Sequence, residues 1–229
     1  MKSPPMPEST AVVQDGGPAL PSLRARKQKM VREIVFDAAT VLFFKKGFDE
    51  TTVDDIAQAA GISQRSFFRY FVSKGDLMAY TLVTYGDQLI AAIEACPESY
   101  SLREVFRETV LHVAQEAVAH PRTRKVIEIL RNNPAAAATE MSRFGEVQAL
   151  VARTFAKRLP ERREDSLIAG VIAGMTLQVT GVTVRWCFEH GQSDISDAME
   201  QVLATFERIF CTDASLRVGA DTHPCDAMS

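Results

Sequence analysis

The sequence has few of the residues that build covalent, metal or redox sites. Only four of its 229 residues are cysteine, and they form no C-x-x-C pair: Cys96, Cys187, Cys211 and Cys225. The four histidines are equally scattered, and there is no G-x-G-x-x-G, P-loop, G-x-S-x-G or H-E-x-x-H motif. These absences disfavour an enzyme, a disulfide-stapled fold and a metal or cofactor site, and isolated thiols indicate a reducing, cytoplasmic setting.

Long apolar runs are also rare. Ser166 to Val184 is the one run of 19 residues without a charge, which approaches the ~20 residues that span a bilayer. The run carries Gln178, three threonines and three glycines, and the N-terminus lacks the basic start and apolar stretch of a secretion signal. We predict a buried helix of an all-helical core and no membrane association, and a membrane span is the alternative.

The net charge of the whole chain, -3, does not by itself indicate a nucleic-acid partner. Residues 22–80 nevertheless hold ten basic and seven acidic side chains, whereas residues 81–229 hold fifteen and twenty. The basic excess is therefore confined to one early segment. Because 46% of the residues are apolar, the chain has enough material for one or two cores of ordinary size.

Helical periodicity dominates the chain, so the predicted fold class is all-α. Residues 1–23 hold five of the ten prolines and predict a flexible arm, and residues 212–229 predict a flexible tail. Apolar residues at three- and four-residue spacing predict a first helix from Arg24 to near Gly47. Later helices are predicted at 75–95, 101–119, 122–132, 135–158, 162–190 and 194–210, because prolines or Gly191 separate them.

Residues 51–77 carry dense helix-start and helix-stop signals. Thr52 is placed to cap a helix with Asp55 three residues later, and Gly61 can adopt the left-handed conformation that ends the helix. Ser63 can cap the next helix at once. The pattern predicts a helix-turn-helix, and a purely structural helical corner is the alternative.

The second helix of this motif has two different sides. On a helical wheel from Gln64, the side predicted to pack inward carries Phe67, Phe68 and Phe71. The side predicted to face water carries Arg65, Ser66, Arg69 and Tyr70. An arginine at the start of such a helix can form paired hydrogen bonds with a guanine edge in the major groove of DNA.

The run TTVDDIAQAAGISQRSFFRYFVSKGDL resembles the DNA-binding domain of the TetR family of bacterial one-component regulators, and the match covers about residues 28–77. The usual run of the family is T-T-x-x-x-I-A-x-x-A-G-V-S-x-G-T-L-Y-x-Y/H-F-x-S/N-K-E-x-L. The resemblance implies a three-helix DNA-binding head at 24–73, and a ligand-binding and dimerisation body at 74–211. It also implies a homodimer that binds a palindromic operator in double-stranded DNA and is released by a small-molecule effector, as a repressor. The alternative is a helical small-molecule-binding protein without operator function.

Seven residues match the DNA contacts of the family by position. The implied phosphate contacts are Thr52, Tyr70 and Lys74, and the implied base-facing surface is Gln64, Arg65, Ser66 and Arg69. Arg65 stands where the family often has Gly, so a side chain replaces a close backbone approach. Phe68 stands where the family usually has Tyr, which removes one hydroxyl contact.

Apolar residues of the last helix recur at spacings of four and three: Ile195, Met199, Val202, Phe206 and Ile209. The spacing is typical of a coiled-coil-like seam. Core packing would explain it, but the resemblance implies a dimer interface formed by the last two helices of each subunit, and we favour that interface. On the 162–190 helix, three glycines share one side, which predicts close packing, and Met175 and Trp186 share the other, which predicts a wide space.

Eight residues on the helices that wall the cavity in the family are candidate effector contacts: Phe106, Leu130, Arg131, Phe144, Met175, Gln178, Arg185 and Trp186. Each also fits a core or surface position. The segments FFRYF-x-SK and ILRNNPA resemble an actinobacterial-type subset whose C-terminal domain has an acyl-CoA-like ligand. The expected effector is therefore an acyl-CoA or another apolar anion.

Overall fold

The computed structural model describes residues 22–160, 164–192 and 194–211, with side chains up to Thr205. In that part of the chain every regular element is an α-helix, as the periodicity predicts. The helices are α1 (Leu23–Lys46), α2 (Val53–Ala59), α3 (Gln64–Phe67), α4 (Lys74–Ala95), α5 (Leu102–Ala119), α6 (Pro121–Asn132), α7 (Pro134–Met141), α8 (Phe144–Ala156), α9 (Asp165–His190) and α10 (Ser196–Cys211). Residues 1–21 of the predicted arm and the predicted tail at 212–229 lie outside the described residues.

The first three helices form the head, in which α2 and α3 are the predicted helix-turn-helix, and the starts of these helices are capped locally. Thr52 Oγ1 accepts a hydrogen bond from the backbone N–H of Asp55 (3.1 Å), and the Asp55 carboxylate accepts one from the backbone N–H of Thr52 (2.8 Å). Gly61 has the predicted left-handed conformation, with φ of 67°. Ser63 Oγ accepts from the backbone N–H of Ser66 (3.1 Å) at the start of α3. The predicted caps of α2 and α3 are therefore confirmed.

The core of the head continues into the body. The head supplies aromatic and aliphatic side chains that are almost fully buried, among them Phe36, Phe43, Ile56 and Phe67. The same cluster includes residues of the body helices α4, α6 and α7: Leu77, Met78, Val126, Ile129 and Ala136. The domain boundary predicted at residue 73 therefore separates two sequence segments, but buried contacts cross it.

A second core joins α4, α5, α8 and α9. α4 and α8 cross closely at Gly86, where an added Cβ would overlap Val147 Cγ1. The glycines of α9 are packed less tightly than predicted. A Cβ at Gly174 would lie 3.0 Å from Gln148 Nε2, and a Cβ at Gly170 would meet nothing within 4 Å.

The helix predicted at 135–158 is two helices. α7 ends at Met141 and α8 begins at Phe144, and Ser142 Oγ donates to the Thr139 carbonyl oxygen (2.6 Å) in the turn between them. Neither a proline nor a positive-φ glycine lies in this turn, so the sequence carries no strong signal for the break. The break lets residues on both sides of the turn, including Glu140, line one cavity.

The first two residues of the seam predicted for the last helix lie in the core of their own subunit. Ile195 is fully buried in a cluster with Ala114 of α5 and Cys187 of α9, and Met199 is also fully buried. An ion pair between Arg107 of α5 and Glu200 further attaches α10 to the body. The assignment of Ile195 and Met199 to a dimer seam is therefore wrong, because both side chains are already fully buried within their own subunit. Val202 is half-buried, and the side chains of Phe206 and Ile209 lie outside the described residues.

Candidate DNA-binding surface and ligand cavity

The segment predicted to read DNA begins as an α-helix and continues in tighter turns. After Phe67, the backbone N–H of Arg69 donates to the Ser66 carbonyl (3.2 Å), and that of Tyr70 donates to the Phe67 carbonyl (2.8 Å). Such bonds to the third preceding residue are typical of 3₁₀ turns. The polar side chains of the segment reach the surface: Gln64, Arg65 and Arg69 are exposed, and Ser66 and Tyr70 are half-buried.

Arg69 and Tyr70 contact each other on this surface. Arg69 Nη2 donates to the Tyr70 hydroxyl (3.0 Å), and the guanidinium carbon lies 4.9 Å from the centroid of the Tyr70 ring. Hydrogen bonding and the cation-π contact orient the two side chains together. The hydroxyl predicted to bind a DNA phosphate therefore has a positive charge beside it.

Phe68 does not pack inward, and this part of the wheel prediction is wrong. Phe67 and Phe71 are 0% and 3% exposed, whereas Phe68 is 52% exposed. At 100° per residue, Phe68 lies about 80° from the centre of the Phe67–Phe71 pair, at the edge of the apolar arc. Its ring meets the Phe67 ring edge-on, with 5.5 Å between centroids, and the rest of it faces solvent.

Thr52 is exposed at the start of α2, and Asp55 already engages its hydroxyl. Thr52 Oγ1 donates to Asp55 Oδ2 (2.8 Å), and Lys46 Nζ lies 2.8 Å from the same carboxylate oxygen. The bond to Lys46 and the bonds to Thr52 hold the pKa of Asp55 well below its usual range. A phosphate contact by Thr52 stays a prediction.

Lys74 is engaged within the head. Its ammonium donates to the carbonyl oxygens of Phe48 (2.8 Å), Asp49 (2.8 Å) and Thr51 (3.2 Å), and it lies 4.9 Å from the centroid of the Phe48 ring. These bonds use all three ammonium hydrogens. Lys74 thus ties the start of α4 to the turn between α1 and α2, and a phosphate contact requires it to give up one of these bonds.

A cavity of about 520 Å³ lies in the body, bordered mainly by α4, α6, α7 and α9 and reaching Phe36 of α1. Its lining is mainly apolar and aromatic, with three arginines and three glutamates. The charged residues are Arg122, Arg131, Arg185, Glu116, Glu140 and Glu189. A largely apolar cavity with a few polar groups is the usual form of a small-molecule site.

Five of the eight predicted effector contacts line this cavity: Leu130, Arg131, Phe144, Gln178 and Arg185. They come from α6, α8 and α9, and the folding of the body brings them together. Their contact with an effector stays a prediction.

Phe106, Met175 and Trp186 do not line the cavity, so their assignment to it is wrong. On α5 the cavity reaches only the C-terminal turn, and Phe106 lies about 15 Å along the helix from Glu116. Trp186 is on the outer side of α9, where its ring stacks on His190 with 4.5 Å between centroids. Met175 shares that side. The sequence predicts the wide space there, but the cavity meets α9 at Gly181 and Arg185, which lie roughly 110° around the helix from Met175 and Trp186.

Arg122 is not among the effector contacts predicted from the sequence, but it lines the cavity from the second position of α6. Its Nη1 lies 3.1 Å from Glu33 Oε2 and also pairs with Asp37, and its guanidinium carbon lies 4.6 Å from the centroid of the Phe36 ring. A cation is disfavoured at a helix N-terminus by the helix dipole. Its position just after Pro121 was therefore a signal that acidic partners lie elsewhere in the fold.

Burial changes the titration of two other cavity residues that were missed. Burial raises the pKa of Tyr85, whose hydroxyl donates to the Leu177 carbonyl (3.1 Å). Burial also raises the pKa of Glu140, and the nearby charge of Arg185 opposes this shift. Both groups favour their neutral forms more than they would in water.

α9 is long and apolar enough to cross a membrane by length and composition. In the structure it packs against α5 and α8, and Ala169, Ala173 and Leu177 lie in the core. Its outer side keeps large apolar side chains exposed: Leu167, Ile168, Val171, Val182 and Trp186. Exposed apolar side chains repeated along one helix are typical of an interaction site.

A capped helix-turn-helix with exposed arginines, joined to a helical body with a partly open cavity, defines a DNA-binding regulator that senses a small molecule. Two family models match the chain: "Bacterial regulatory proteins, tetR family" over residues 35–81, and "MftR C-terminal domain" over residues 97–210. The chain belongs to the TetR family of transcriptional regulators, with a C-terminal domain of the MftR type.

Related proteins agree with this membership. The chain is 26% identical over 185 residues to MftR of Mycobacterium tuberculosis, a proposed regulator of mycofactocin biosynthesis, and the match covers 78% of this chain and 88% of MftR. It is 25% identical over 182 residues to the transcriptional regulator TcmR of Streptomyces glaucescens, covering 76% and 80%. The fold is similar to that of NalD, the secondary repressor of the MexAB-OprM efflux pump in Pseudomonas aeruginosa, with a TM-score of 0.53, 18% identity and coverage of 79% and 96%.

Proposed function

We propose that the protein is a cytoplasmic, homodimeric repressor that releases a palindromic operator when an acyl-CoA or another apolar anion enters the body cavity. The observation that carries the proposal is the cavity itself. Its apolar walls fit a hydrocarbon chain, and Arg131 and Arg185 supply positive charge for the anionic end. Release follows if the effector binds the DNA-incompetent dimer more tightly than the competent one.

The effector is tested by titrating the purified protein with palmitoyl-CoA, palmitate and free coenzyme A in a calorimeter. We expect palmitoyl-CoA to bind, and we expect Arg185→Gln to weaken it by removing a charge-assisted hydrogen bond. Arg153, exposed on α8 and outside the cavity lining, gives the control variant Arg153→Gln. If none of the three compounds binds, the effector class is wrong while the operator function stands.

On the DNA side, we propose that Gln64, Arg65, Ser66 and Arg69 face base edges and that Thr52, Tyr70 and Lys74 meet phosphates. Selection of binding sites from randomised duplexes gives the operator. Arg65→Ala should relax the preference at one position of each half-site, with about 1–3 kcal/mol of discrimination lost. Equal base preference in Arg65→Ala and the wild type would contradict this assignment.

Tyr70 and Lys74 need separate tests because Lys74 also braces the head. Tyr70→Phe should weaken binding to all DNA sequences alike and flatten the salt dependence of binding. The melting temperature of the protein should not change. Lys74→Met should lower the melting temperature as well, because three carbonyl oxygens lose their donor. A Lys74→Met variant with unchanged stability and a flattened salt slope would make the phosphate its main partner.

We propose that the outer side of α9 forms the dimer contact. One recognition helix covers too little DNA for a specific site, whereas a twofold dimer reads half-sites about 34–36 Å apart or multiples of that spacing. The double variant Val171→Glu/Val182→Glu should sediment as a monomer and lose operator binding. Met30→Glu, on an exposed residue of α1, is the control and should leave the mass of the particle unchanged. A dimeric Val171→Glu/Val182→Glu variant would place the contact elsewhere.

A further inference from the structure

Arg122 links the cavity to the DNA-binding head. It lines the cavity from α6, and its guanidinium pairs with Glu33 and Asp37, both on α1. Arg131 and Arg185 also line the cavity, but no ion pair joins either of them to the head among the residues that the structure describes. Arg122 is therefore placed to respond to a ligand and to act on α1.

Three helices meet at Glu33. One carboxylate oxygen lies 3.1 Å from Arg122 Nη1 of α6, and the other accepts a hydrogen bond from the Tyr80 hydroxyl of α4 (2.9 Å). Phe36, close by on α1, contacts both neighbours: the Arg122 guanidinium lies over its ring, and the Tyr80 ring meets it edge-on at 5.6 Å. Arg122 and Tyr80 therefore tie α1, the first helix of the head, to α6 and α4 through Glu33 and Phe36.

An anion in the cavity must compete with Glu33 and Asp37 for Arg122. Arg122 is one positive charge between two carboxylates, so this cluster is already negative. Adding an anion without losing a carboxylate contact would bring three negative charges around one cation, which is unfavourable in a partly buried site. An anion that reaches Arg122 from the cavity must therefore weaken its pairs with Glu33 and Asp37.

We propose that Arg122 binds the anionic group of the effector, and that this contact is the signal that loosens the head. The anion draws the guanidinium from Glu33 and Asp37, and α1 loses its ionic tie to α6. The inference rests on the anionic effector proposed above. It adds Arg122 to Arg131 and Arg185 as a residue that binds the anionic group, and it identifies the ion pairs whose loss releases the operator.

Thermodynamic linkage makes the proposal testable from both sides. If the anion and α1 compete for Arg122, removing the carboxylates must tighten anion binding, and it must also imitate the effector by weakening operator binding. Removing two carboxylates also favours a nearby anion electrostatically, so tighter palmitate binding alone does not separate the two roles. Tighter binding by Glu33→Gln/Asp37→Asn together with weaker binding by Arg122→Gln assigns the anion contact to Arg122, whereas a merely structural ion pair leaves palmitate affinity unchanged in Arg122→Gln.

The experiment measures operator binding without ligand, and palmitate binding without DNA, on four full-length variants. Glu33→Gln/Asp37→Asn should bind the operator between about 5-fold and 150-fold more weakly and palmitate more tightly. Arg122→Gln should weaken both operator binding and palmitate binding, and Arg122→Lys should recover part of the palmitate affinity. Arg131 lines the cavity but has no ion pair to α1 in the described residues. Arg131→Gln should therefore weaken palmitate binding and leave operator binding unchanged. Palmitamide, the uncharged analogue, should bind the wild type and Arg122→Gln equally.

Unchanged or weaker palmitate binding by Glu33→Gln/Asp37→Asn would overturn the proposal, as would wild-type operator affinity in that variant. If the double variant does not fold, Asp37→Asn alone serves, because 62% of the Asp37 side chain is exposed and the same two changes are expected at smaller size. If palmitate and palmitoyl-CoA both fail to bind the wild type, the proposed effector class fails. The ligand-free operator measurements then still decide whether the ion pairs hold the head, and an unchanged operator affinity in Arg122→Gln rejects that role.

Discussion

The head and the body are specified over different distances along the chain. Each cap of the helix-turn-helix joins residues three positions apart, as in the bonds between Thr52 and Asp55 or between Ser63 and Ser66. The cavity depends on distant contacts: Arg122 meets Glu33 across 89 positions, and Tyr85 meets Leu177 across 92. The surface that reads DNA is therefore encoded locally, whereas the site that senses the effector exists only when the whole body is packed.

The largest effect should come from the phenylalanines of the recognition segment, where adjacent residues have opposite environments. Phe67→Ala removes a fully buried ring from the head core and should lower the free energy of unfolding by about 3–5 kcal/mol. Phe68→Ala is the matched control, because its ring is half exposed, and it should change stability by less than about 0.5 kcal/mol. Urea denaturation checks both, and equal losses in the two variants would refute the assignment of Phe68 to the surface.

The next largest effect tests the body where α4 and α8 cross closely at Gly86. Gly86→Ala forces a methyl group onto Val147 and should destabilise the protein by about 1–3 kcal/mol. Gly170→Ala on α9 is the control. Its Cβ meets nothing within 4 Å, so the better helix propensity of alanine should stabilise the protein by about 0.5–1 kcal/mol. The double variant Gly86→Ala/Val147→Ala should recover part of the loss, and no recovery would mean that another neighbour is crowded.

A smaller effect is expected at the start of α2. Thr52→Ala removes the side-chain cap of the helix and should cost about 1 kcal/mol of stability. Ser22→Ala removes the equivalent cap of α1, at the outer end of a helix of 24 residues, and should matter less because that end is exposed. Thermal melts measure both. A larger loss for Ser22→Ala would show that the start of α1 is held more firmly than the helix-turn-helix.

The same contrast explains what the sequence made predictable. The fold class, the helix-turn-helix and its caps follow from short-range patterns, and the structure confirms them. The break between α7 and α8 was missed because an ordinary Ser142–Arg143 turn carries no proline or left-handed glycine. Phe106 and Trp186 were placed in the cavity because their helices border it, although the side and the turn of each helix decide which residues face it. Arg122 was overlooked because its partners on α1 are far away in the sequence.

The head and the body should also differ in how their stability depends on pH, because one carboxylate in each has a shifted pKa and the two shifts have opposite signs. The pKa of Asp55 in the head is lowered, so its contribution to stability is present above its ordinary pKa and is lost as the pH falls. The pKa of Glu140 in the body is raised from 4.5, so its contribution is greatest below that value and decreases as the pH rises through the shifted pKa. Asp55→Asn should therefore flatten the acid side of the stability profile. Glu140→Gln should flatten the side above pH 4.5 and stabilise the ligand-free protein near neutral pH, because a buried charge is removed.

Urea midpoints measured from acid to neutral pH separate the effects of Asp55→Asn and Glu140→Gln. The variant Arg185→Gln tests the effect of Glu140 further. Because Arg185 opposes the raised pKa of Glu140, its removal should raise that pKa further and steepen the fall in stability above pH 4.5. In the double variant Glu140→Gln/Arg185→Gln the steepening should disappear, since no carboxyl remains to titrate at that position. A slope that persists in the double variant would assign the titration to a group other than Glu140.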